Sequence, residues 1–531
     1  MTAASSTEPK PEPAMAGEPW HRLDRRSIWV APLTPLAGLF ATGLVVLTVR
    51  GWENLGLVEP AIGAVVAIGA FGWSAWYWAT TWYRVTATQV ELRSGLLVRQ
   101  HRSVPRDRLR SVDLTADVVH RLAGLAVVAI GTGRQGGESD DEVTLDSVAT
   151  AEAERLRVVL LARDARPDTR DVTAPDALAP DAPVASPHDD APPLAVFDAS
   201  WVRLAPLSLL GLVAIGLLGA GAGQLARAVD VEVFEVGPVQ AVLDWFGRTP
   251  LLVSVLGGLA VLVVLNAILS TVVYVLLYGG FTLTRAADGT LRISYGLLTR
   301  RSVSIEELRI RGVAIEEPLL LRLGGGARCK IVAAGLGTKG REGKEKQDSD
   351  LLLPAAPRAV VHRVTAAVLR SPCVPVAGPL TRHPVAALRV LARQRVATAA
   401  VPAAVLGLLA GLGLVPHWTW QVALLLLPPA VAFAVLEYRN LGHGITDRFL
   451  VVRDGSTLRR TVVLRRDGII AWRFRRSVLQ RRPRLLTTSA AVAAGKGAHT
   501  INYADQDEVL AMARDTVPGL LAPFLELDAG R

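Results

Sequence analysis

Long apolar runs without Asp, Glu, Lys or Arg alternate with mixed segments along the chain. Five such runs are present: Ser27–Val49, Pro60–Tyr83, Leu204–Ala226, Thr249–Thr284 and Val396–Leu436. Each run exceeds the ~20 residues that a helix needs to cross ~30 Å of hydrocarbon. Val415-Pro416-His417-Trp418 interrupts the last run, and because Pro breaks helices and Trp favours the membrane interface, this run predicts two helices. The pattern therefore predicts six membrane-spanning helices in three hairpins.

Arginine residues cluster at one end of every predicted hairpin. They include Arg22, Arg25 and Arg26 before the first span, Arg84 and Arg93 after the second, Arg285 and Arg292 after the fourth, Arg389 and Arg393 before the fifth, and Arg439 and Arg448 after the sixth. The loops at the other end, near residues 50–59, 227–248 and 415–419, are short and acidic or neutral. Because positive residues stay in the cytoplasm, we expect a multi-pass plasma-membrane protein with both termini cytoplasmic.

One pattern is repeated after each hairpin: a strand-like segment, a Gly turn, further strands and a helix. Gly296 follows Gly95 by 201 residues, and Gly455 follows Gly296 by 159. Segments such as Val90-Glu91-Leu92-Arg93 alternate between apolar and charged residues, which is typical of half-buried strands. The order of elements predicts three copies of a small α+β domain, with antiparallel strands closed by a C-terminal helix.

The first copy contains a hairpin, then Tyr83-Arg84-Val85-Thr86, Gly95-Leu96-Leu97 and the strand that begins at Val104-Pro105. This order resembles the bacterial pleckstrin-homology-like (PH-like) domain of the YdbS/YdbT membrane protein family. Thr282-Leu283-Thr284 with Gly296-Leu297-Leu298 repeats it, and the third copy does so more loosely. The resemblance covers about 28–165, 205–370 and 397–525. It implies a PH-like fold, two packed antiparallel sheets with a capping helix, in each segment.

The predicted fold class is therefore membrane α-helical hairpins with six transmembrane helices plus three cytoplasmic α+β PH-like domains. The predicted boundaries are a disordered tail at 1–27, hairpin 1 at 28–83, PH-like domain 1 at 84–165, a Pro/Asp-rich linker at 166–203, hairpin 2 at 204–278, PH-like domain 2 at 279–371, a linker at 372–395, hairpin 3 at 396–437 and PH-like domain 3 at 438–525. The linker segment Pro167–Pro193 is rich in Pro and Asp, which predicts an extended flexible tether.

Composition adds few candidates for chemistry. Half of the residues are hydrophobic, the net charge is +10, and the two cysteines, Cys329 and Cys373, cannot form a disulfide framework. The strings Gly131–Gly136 and Gly335–Gly340 match Gly-x-Gly-x-x-Gly, but neither leads into a helix, so we expect hairpin loops and no dinucleotide site. The histidines and cysteines show no metal-ligand spacing. We therefore expect no cofactor, no metal and no enzymatic activity.

The strongest charge feature is the arginine-rich segment Arg459–Arg484, which contains one acidic residue, Asp467. Cytoplasmic arginines near a membrane meet anionic headgroups, each contributing about 1 kcal/mol. The candidate contacts to anionic lipid are Arg459, Arg460, Arg465, Arg466, Arg473, Arg475 and Arg476. The alternative is a solvated positive face that only fixes topology. Nucleic acid is disfavoured, because Trp472 and Phe474 are the only aromatic residues there that could stack on bases.

The expected function is that of a scaffold or lipid-proximal interaction module of the bacterial envelope. Its expected partners are membrane lipids, including anionic phospholipids, and other membrane proteins or further copies of the chain. The alternative is an accessory subunit of a transporter or of an envelope-lipid enzyme. A charged residue in the middle of a span would favour that alternative, and no predicted span contains one.

Overall fold

The structure is a computed structural model. It describes residues 19–50, 58–86, 88–95, 100–106, 109, 111–131, 142–161, 192–228, 237–286, 289–333, 350–371, 378–446, 448–493 and 497–520. Its contacts divide the chain into two units, of which the first ends at Asp164 and the second begins at Ala165. The first unit contains the first hairpin and PH-like domain, and the second unit contains the other two of each.

The first unit places two helices before its strands. Its elements are β1 (His21–Arg22), α1 (Ser27–Arg50), α2 (Val58–Thr80), β2 (Trp82–Val85), β3 (Gln89–Ser94), β4 (Gln100–Pro105), β5 (Ser111–Ala116), α3 (Val118–Leu122), β6 (Leu125–Gly131), β7 (Glu142–Ala149) and α4 (Thr150–Leu161). Strands β1 to β4 form one antiparallel sheet in chain order, and β5, β6 and β7 pair in a second. Because β1 pairs with β2, the tail predicted at 1–27 ends earlier than expected.

Apolar residues that alternate along these strands form one core. Val90, Val112, Val128 and Val143 are fully buried in it, and Leu156 of α4 packs against them. The alternation places every second side chain on the same face, which gives each sheet one apolar face. The predicted PH-like order, antiparallel strands followed by a capping helix, is the observed one.

The second domain repeats this arrangement after its own hairpin. Its elements are β8 (Ala195–Val196), a 3₁₀ helix (Ala199–Leu207), α5 (Leu210–Ala228), α6 (Gly237–Arg248), α7 (Leu251–Tyr278), β9 (Thr282–Arg285), β10 (Thr290–Tyr295), β11 (Arg300–Glu306), β12 (Ile310–Pro318), α8 (Leu319–Leu323), β13 (Gly326–Ala333), β14 (Leu351–Pro357) and α9 (Arg358–Val368). Its largest buried side chains include Tyr274 and Phe281, and the thiol of Cys329 is fully buried beside Thr365.

The structure's second domain begins inside the linker predicted at 166–203. Ala195 and Val196 pair with β9, and Trp201 and Leu204 lie in the domain core. This core therefore includes residues that the sequence assigned to the linker and to the start of the second hairpin. The 3₁₀ helix meets the following helix at 64°, so the two together make one bent span at most.

The third domain follows the hairpin α10 (Val385–Gly411), α11 (Trp418–Leu424) and α12 (Leu427–Asn440). Its other elements are β15 (Gly442–Ile445), β16 (Phe449–Asp454), β17 (Leu458–Arg465), β18 (Ile469–Arg475), α13 (Val478–Arg481), β19 (Leu485–Val492), β20 (Ala498–Asp505) and α14 (Gln506–Thr516). Asp505 caps α14 by accepting hydrogen bonds from the backbone N–H groups of Asp507 and Glu508. Helix α10 begins inside the linker predicted at 372–395, because the sequence interpretation assigned its basic first turns to the linker.

The second and third domains share one continuous sheet. Its strand order is β14-β13-β12-β17-β16-β15, so β17 of the third domain pairs antiparallel with β12 of the second. The remaining strands of the third domain form a separate sheet of order β18-β19-β20. The sequence interpretation did not predict this junction, which we call the β12–β17 joint.

Four helical segments of the described chain are long and apolar enough to cross a membrane: Ala61–Thr80, Leu251–Tyr278, Val385–Gly411 and Trp418–Asn440. The bent pair that includes α5 raises the number to five. The predicted break near Val415 is confirmed, because α10 ends before it and α11 begins after it. The remaining predicted span, the first in the chain, corresponds to helix α1 and stays a prediction.

The repeated glycine turns are present in all three domains. Gly95, Gly296 and Gly455 have φ values of 94°, 103° and 97°, which L side chains rarely adopt. A Cβ atom on Gly296 or Gly455 would also overlap a nearby backbone carbonyl oxygen. The loops predicted at 132–136 and 335–340 and the tether Pro167–Pro193, apart from its last two residues, lie outside the described residues.

Candidate functional site

Two of the seven candidate lipid-contact arginines lie in the β12–β17 joint. Arg459 Nη2 is 2.5 Å from Glu317 Oε2, and Arg460 Nε is 3.9 Å from Glu316 Oε1. The strand register explains both contacts, because Arg459 lies opposite Glu317 and Arg460 lies opposite Glu316. These two arginines therefore bind a neighbouring strand of their own chain.

Each of the two carboxylates contacts a second arginine. Arg328 Nε lies 2.9 Å from Glu316 Oε2, and Arg358 Nε lies 2.7 Å from Glu317 Oε1. Both glutamates are buried. A buried carboxylate is tolerated only when it is paired, so the four arginines make these acidic positions compatible with the sheet.

Two further candidates have partners within the third domain. Arg465 Nη2 forms an ion pair with Asp467 Oδ2 at 3.0 Å. Arg466 Nε donates to the carbonyl oxygen of Thr516 at 2.7 Å, and its Nη2 donates to that of Asp515. These carbonyls are at the C-terminal end of α14, where a cation is stabilised by the helix dipole.

The remaining three candidates are exposed. Arg473 and Arg475 lie on β18, and Arg476 follows it and donates to the carbonyl oxygen of Arg481 at 3.1 Å. Trp472 and Phe474 alternate with them and pack against the core of the third domain. Five of the seven candidates thus contact other groups of the chain, and Arg473, Arg475 and Arg476 are exposed on β18 or directly after it. Contact of any of them with lipid stays a prediction.

A cavity of about 640 Å³ lies in the first unit, between the first hairpin and the strands of its domain. Apolar residues of α1 and α2 form its walls, and Tyr77, His120, Asp146 and Ser147 form its polar end. Tyr77 Oη donates to Asp146 Oδ2 at 3.0 Å. Burial raises the pKa of Asp146, although the hydrogen bond from Tyr77 and the charge of His120 oppose this effect.

His120 connects two other polar groups at this end of the cavity. Its Nδ1 is 2.7 Å from Asp117 Oδ1, and its Nε2 is 3.2 Å from Ser147 Oγ. This order matches a carboxylate–imidazole–hydroxyl relay. Asp117 also caps α3 by accepting from the His120 backbone N–H at 2.8 Å, which gives the same contact a structural role.

Ser147 occupies a recurring irregularity of the fold. It has a φ of 59° next to a register shift in the β6–β7 pairing, and Tyr503 has a φ of 56° next to the shift between β19 and β20. The strained backbone at Ser147 is therefore a bulge common to two of the domains. The backbone conformation at Ser147 therefore does not distinguish the first domain from the third, whereas the Ser147 hydroxyl and the side chains around it do.

The second domain has a cavity of about 600 Å³ at the corresponding place, with different chemistry. The 201-residue spacing and the strand registers relate Tyr77, His120, Asp146 and Ser147 to Tyr278, Leu321, Pro354 and Ala355. Only the tyrosine is retained. The polar end of the first cavity thus differs from the corresponding part of the second, and its residues were not identified from the sequence because they are far apart along the chain.

A buried histidine pair connects the third hairpin to its domain. His383 Nε2 and His443 Nδ1 share a hydrogen bond of 3.1 Å, and His443 Nε2 lies 3.7 Å from Glu508 Oε1. Burial lowers the pKa of His383 to about 4 and also lowers that of His443. Both rings are therefore neutral near pH 7. Within the described residues, no group of three or more His, Cys, Asp or Glu is placed to hold a metal ion.

The apolar helices, the repeated sheets and the capping helices together define a membrane protein with repeated PH-like domains. The family model described as "Bacterial PH domain" matches residues 33–164, 224–371 and 398–516, which is most of the chain. The chain belongs to the bacterial PH domain family. The YdbT-like repeat architecture predicted from the sequence is confirmed.

A curated relative supports the same assignment. The chain is 23% identical over 274 residues to the UPF0699 transmembrane protein YdbT of Bacillus subtilis (strain 168). The alignment covers 50% of this chain, and the chain spans about half (52%) of the relative's length. No solved structure matches the chain.

Proposed function

We propose that the protein is a multi-pass plasma-membrane scaffold whose PH-like domains and termini lie in the cytoplasm. The β12–β17 joint is the observation that carries this proposal. It fuses two PH-like domains into one sheet, and the buried glutamates at the joint are held by arginines from both domains. A fused sheet gives partners a fixed platform, whereas separate domains on linkers would move independently.

The partners proposed for this scaffold are membrane proteins, other copies of the chain and anionic phospholipid, and not nucleic acid. The exposed arginines Arg473, Arg475 and Arg476 support a partner with negative charge. No catalytic step is proposed for the platform. The six-span topology belongs to the proposal and is supported by the arginine distribution at the hairpin ends.

Cysteine labelling tests the topology. We expect an impermeant thiol reagent to label H417C in intact cells and to label R300C and R473C only after the membrane is opened. All three positions are exposed, so accessibility within the protein is matched. Labelling of R300C or R473C in intact cells would reverse the orientation.

Charge exchange across the joint tests the scaffold. The variant E316R/E317R brings six arginine side chains together, because Arg328, Arg358, Arg459 and Arg460 all contact the two glutamates, so we expect it to lose the protein crosslinks that the wild type forms in native membranes. Adding R459E and R460E restores opposite charges between the two paired strands and should restore the same crosslinks. An unchanged crosslinking pattern in E316R/E317R would show that the platform is not needed for partner binding.

The cavity of the first unit favours a second candidate, an accessory role in handling an envelope lipid. Its apolar walls suit acyl chains. Its polar end suits a headgroup with hydroxyl or amine groups, because the carboxylate of Asp146 would accept hydrogen bonds from them. Ser27 Oγ is buried at the wall and has no hydrogen-bond partner among the described residues. A ligand hydroxyl would supply that partner.

Native mass spectrometry of the purified protein tests this candidate. We expect a co-purifying lipid that the double variant Y77F/D146N retains at less than half of the wild-type occupancy. The matched control is Y278F, which makes the same change at the related tyrosine of the second domain. Equal lipid loss in the control and the double variant would contradict a specific site in the first cavity.

A further inference from the structure

Strand β18 of the third domain is the counterpart of β12 of the second. Each strand follows a one-turn 3₁₀ helix, and each has a register shift at the same point, between Ile310 and Gly312 or between Ile469 and Ala471. Each also precedes a short helix, α8 or α13. The same spacing of 159 residues that separates Gly296 from Gly455 relates the two strands residue by residue.

The two strands differ in what lies along their outer edge. Strand β12 pairs with β13 on one side and with β17 on the other, whereas β18 pairs with β19 and is the outer strand of its sheet in the described part of the chain. Most residues of β12 are buried, but Ile470, Arg473 and Arg475 of β18 are exposed. An open edge has unpaired backbone donors and acceptors, which are a template for another strand.

The charges on this edge are the reverse of those in the joint. Glu316 and Glu317 of β12 correspond to Arg475 and Arg476, and in the joint the glutamates face arginines of the partner strand. A strand placed in the same way against β18 would need acidic side chains opposite Arg475 and Arg476. Like charges at directly opposed positions would destabilise the pairing.

The strand of a second copy that corresponds to β17 does not provide these acidic side chains. The equivalent of β17 in the first domain is β4, an outer strand whose residues Gln100–Pro105 contain no carboxylate and include Arg102. Two copies of β18 would bring arginines together. These two strands therefore do not meet the charge requirement, which an acidic segment of another protein does.

Two features of β18 describe the expected contact with a partner strand: the residue at which pairing begins and a hydrogen-bond donor that the partner would satisfy. Gly312 of β12 lies so close to β17 that a Cβ atom would overlap the carbonyl oxygen of Val463, and the counterpart of Gly312 in β18 is Ala471. A partner strand is therefore expected to pair from Trp472 onward and not further toward Ile469. Trp472 Nε1 is buried and has no hydrogen-bond partner among the described residues, so an acceptor on the partner would satisfy it.

We propose that the outer edge of β18 binds an extended segment of another protein by antiparallel strand addition, with acidic side chains of that segment opposite Arg475 and Arg476. Main-chain hydrogen bonds supply affinity in this mode, and the two ion pairs select the partner. The partner segment is expected to resemble β17 with glutamates at the positions of Arg459 and Arg460. The inference deepens the scaffold proposal by defining the chemistry of one partner, and it rests on that proposal.

Peptide binding to the full-length protein in nanodiscs of neutral lipid tests the inference. The probe is a fluorescent peptide with the sequence Phe449–Arg465, the β16–β17 hairpin, carrying R459E and R460E. The control peptide has the natural sequence. We expect the acidic probe to bind at least tenfold more tightly than the control, and R475E/R476E to reverse this preference.

Two protein variants make the test specific. R481E/R482E changes the net charge by the same amount next to the edge, and we expect it to weaken probe binding less than threefold. A471G removes the methyl group that shortens the contact and should strengthen binding. Equal losses in R475E/R476E and R481E/R482E would show unspecific charge attraction and overturn the inference.

Lipid binding is the competing outcome. The number of acidic lipids retained by the full-length protein is measured by native mass spectrometry for the wild type and R475E/R476E. Loss of these lipids in the variant, with no preference between the two peptides, would assign the arginines to the membrane and overturn the inference. Either failure leaves the scaffold test intact, because that test changes only the β12–β17 joint.

Discussion

The second and third PH-like domains have the same strand order but different surroundings. In the second domain, the core includes Trp201 from the preceding segment, and β12 is covered by a strand of the next domain. In the third domain, the matching strand β18 is the outer strand of its described sheet. The two strands also differ in charge, because arginines occupy the positions that correspond to Glu316 and Glu317. The covered strand and the open strand thus have side chains of opposite sign at the same two positions.

Truncation of a phenylalanine should give the largest difference in unfolding free energy between the second and third domains. Phe281 is fully buried in the second domain, so F281A is expected to lose about 3–5 kcal/mol of unfolding free energy. Phe474 of β18 is only partly buried, so F474A should lose less than half as much. Denaturant unfolding of the purified protein measures both. A greater loss in F474A would mean that β18 is covered in the folded protein.

Loss of a joint carboxylate should have the next largest effect. E317A leaves Arg459 and Arg358 facing each other without their shared partner, and we expect a loss of roughly 3 kcal/mol because a broken buried pair leaves uncompensated charge. E317Q, which retains hydrogen-bond acceptance, serves as the control and should lose less. If both variants were as stable as the wild type, the joint would not contribute to stability.

Acidification should act on the third domain through its histidine pair. The folded-state pKa of His383 is about 4, below its ordinary value of 6.5, so the unfolded chain binds more protons between these pH values. Stability from the neutral ring is present above pH 6.5 and is lost as pH falls toward 4. The loss is at most roughly 3 kcal/mol, since one pKa unit corresponds to about 1.4 kcal/mol.

Thermal unfolding of the wild type and H383Q between pH 7 and pH 4 measures this effect. The charged groups near the pair are limited to Glu508 on α14 among the contacts that the structure describes, and Tyr438 donates to the His383 carbonyl oxygen. We expect the wild type to lose more stability than H383Q as pH falls. An identical pH dependence would assign the acid sensitivity to other groups.

Removal of an exposed arginine should have the smallest effect on stability. R475A takes away a side chain on the open edge, so the unfolding free energy should change by no more than about 0.5 kcal/mol. R459A, its contrast in the joint, should be clearly destabilising because Glu317 loses one of its two partners. A large loss in R475A would mean that Arg475 has a partner within the folded chain.

Periodic and repeated features could be predicted from the sequence. Apolar runs gave most of the helices, and Gly95, Gly296 and Gly455 marked the same turn in three domains, because a left-handed backbone conformation selects glycine. The segment near Trp201 was assigned to the linker, because a two-residue strand and a short 3₁₀ helix are too brief to show a period. Such elements are defined by what they pack against.

The candidate sites depended on pairings between distant residues. Arg459 and Arg460 were interpreted as lipid contacts because sequence shows charge but not the partner of a charge. The adjacent glutamates at 316 and 317 were the available signal, since paired acidic residues in an apolar strand need adjacent cations. His120 and Ser147 are 27 residues apart, and only the folding of β7 beside α3 brings them together.

The reactivity of the buried Cys329 thiol can report how often the core of the second domain opens. Burial raises the pKa of this thiol to about 12, so a thiolate forms only when the strand is exposed. In a C373S background, the rate of alkylation at neutral pH would therefore count opening events of the core without any added probe. Partners or lipids that stiffen the domain would slow that rate, and a broken joint would accelerate it.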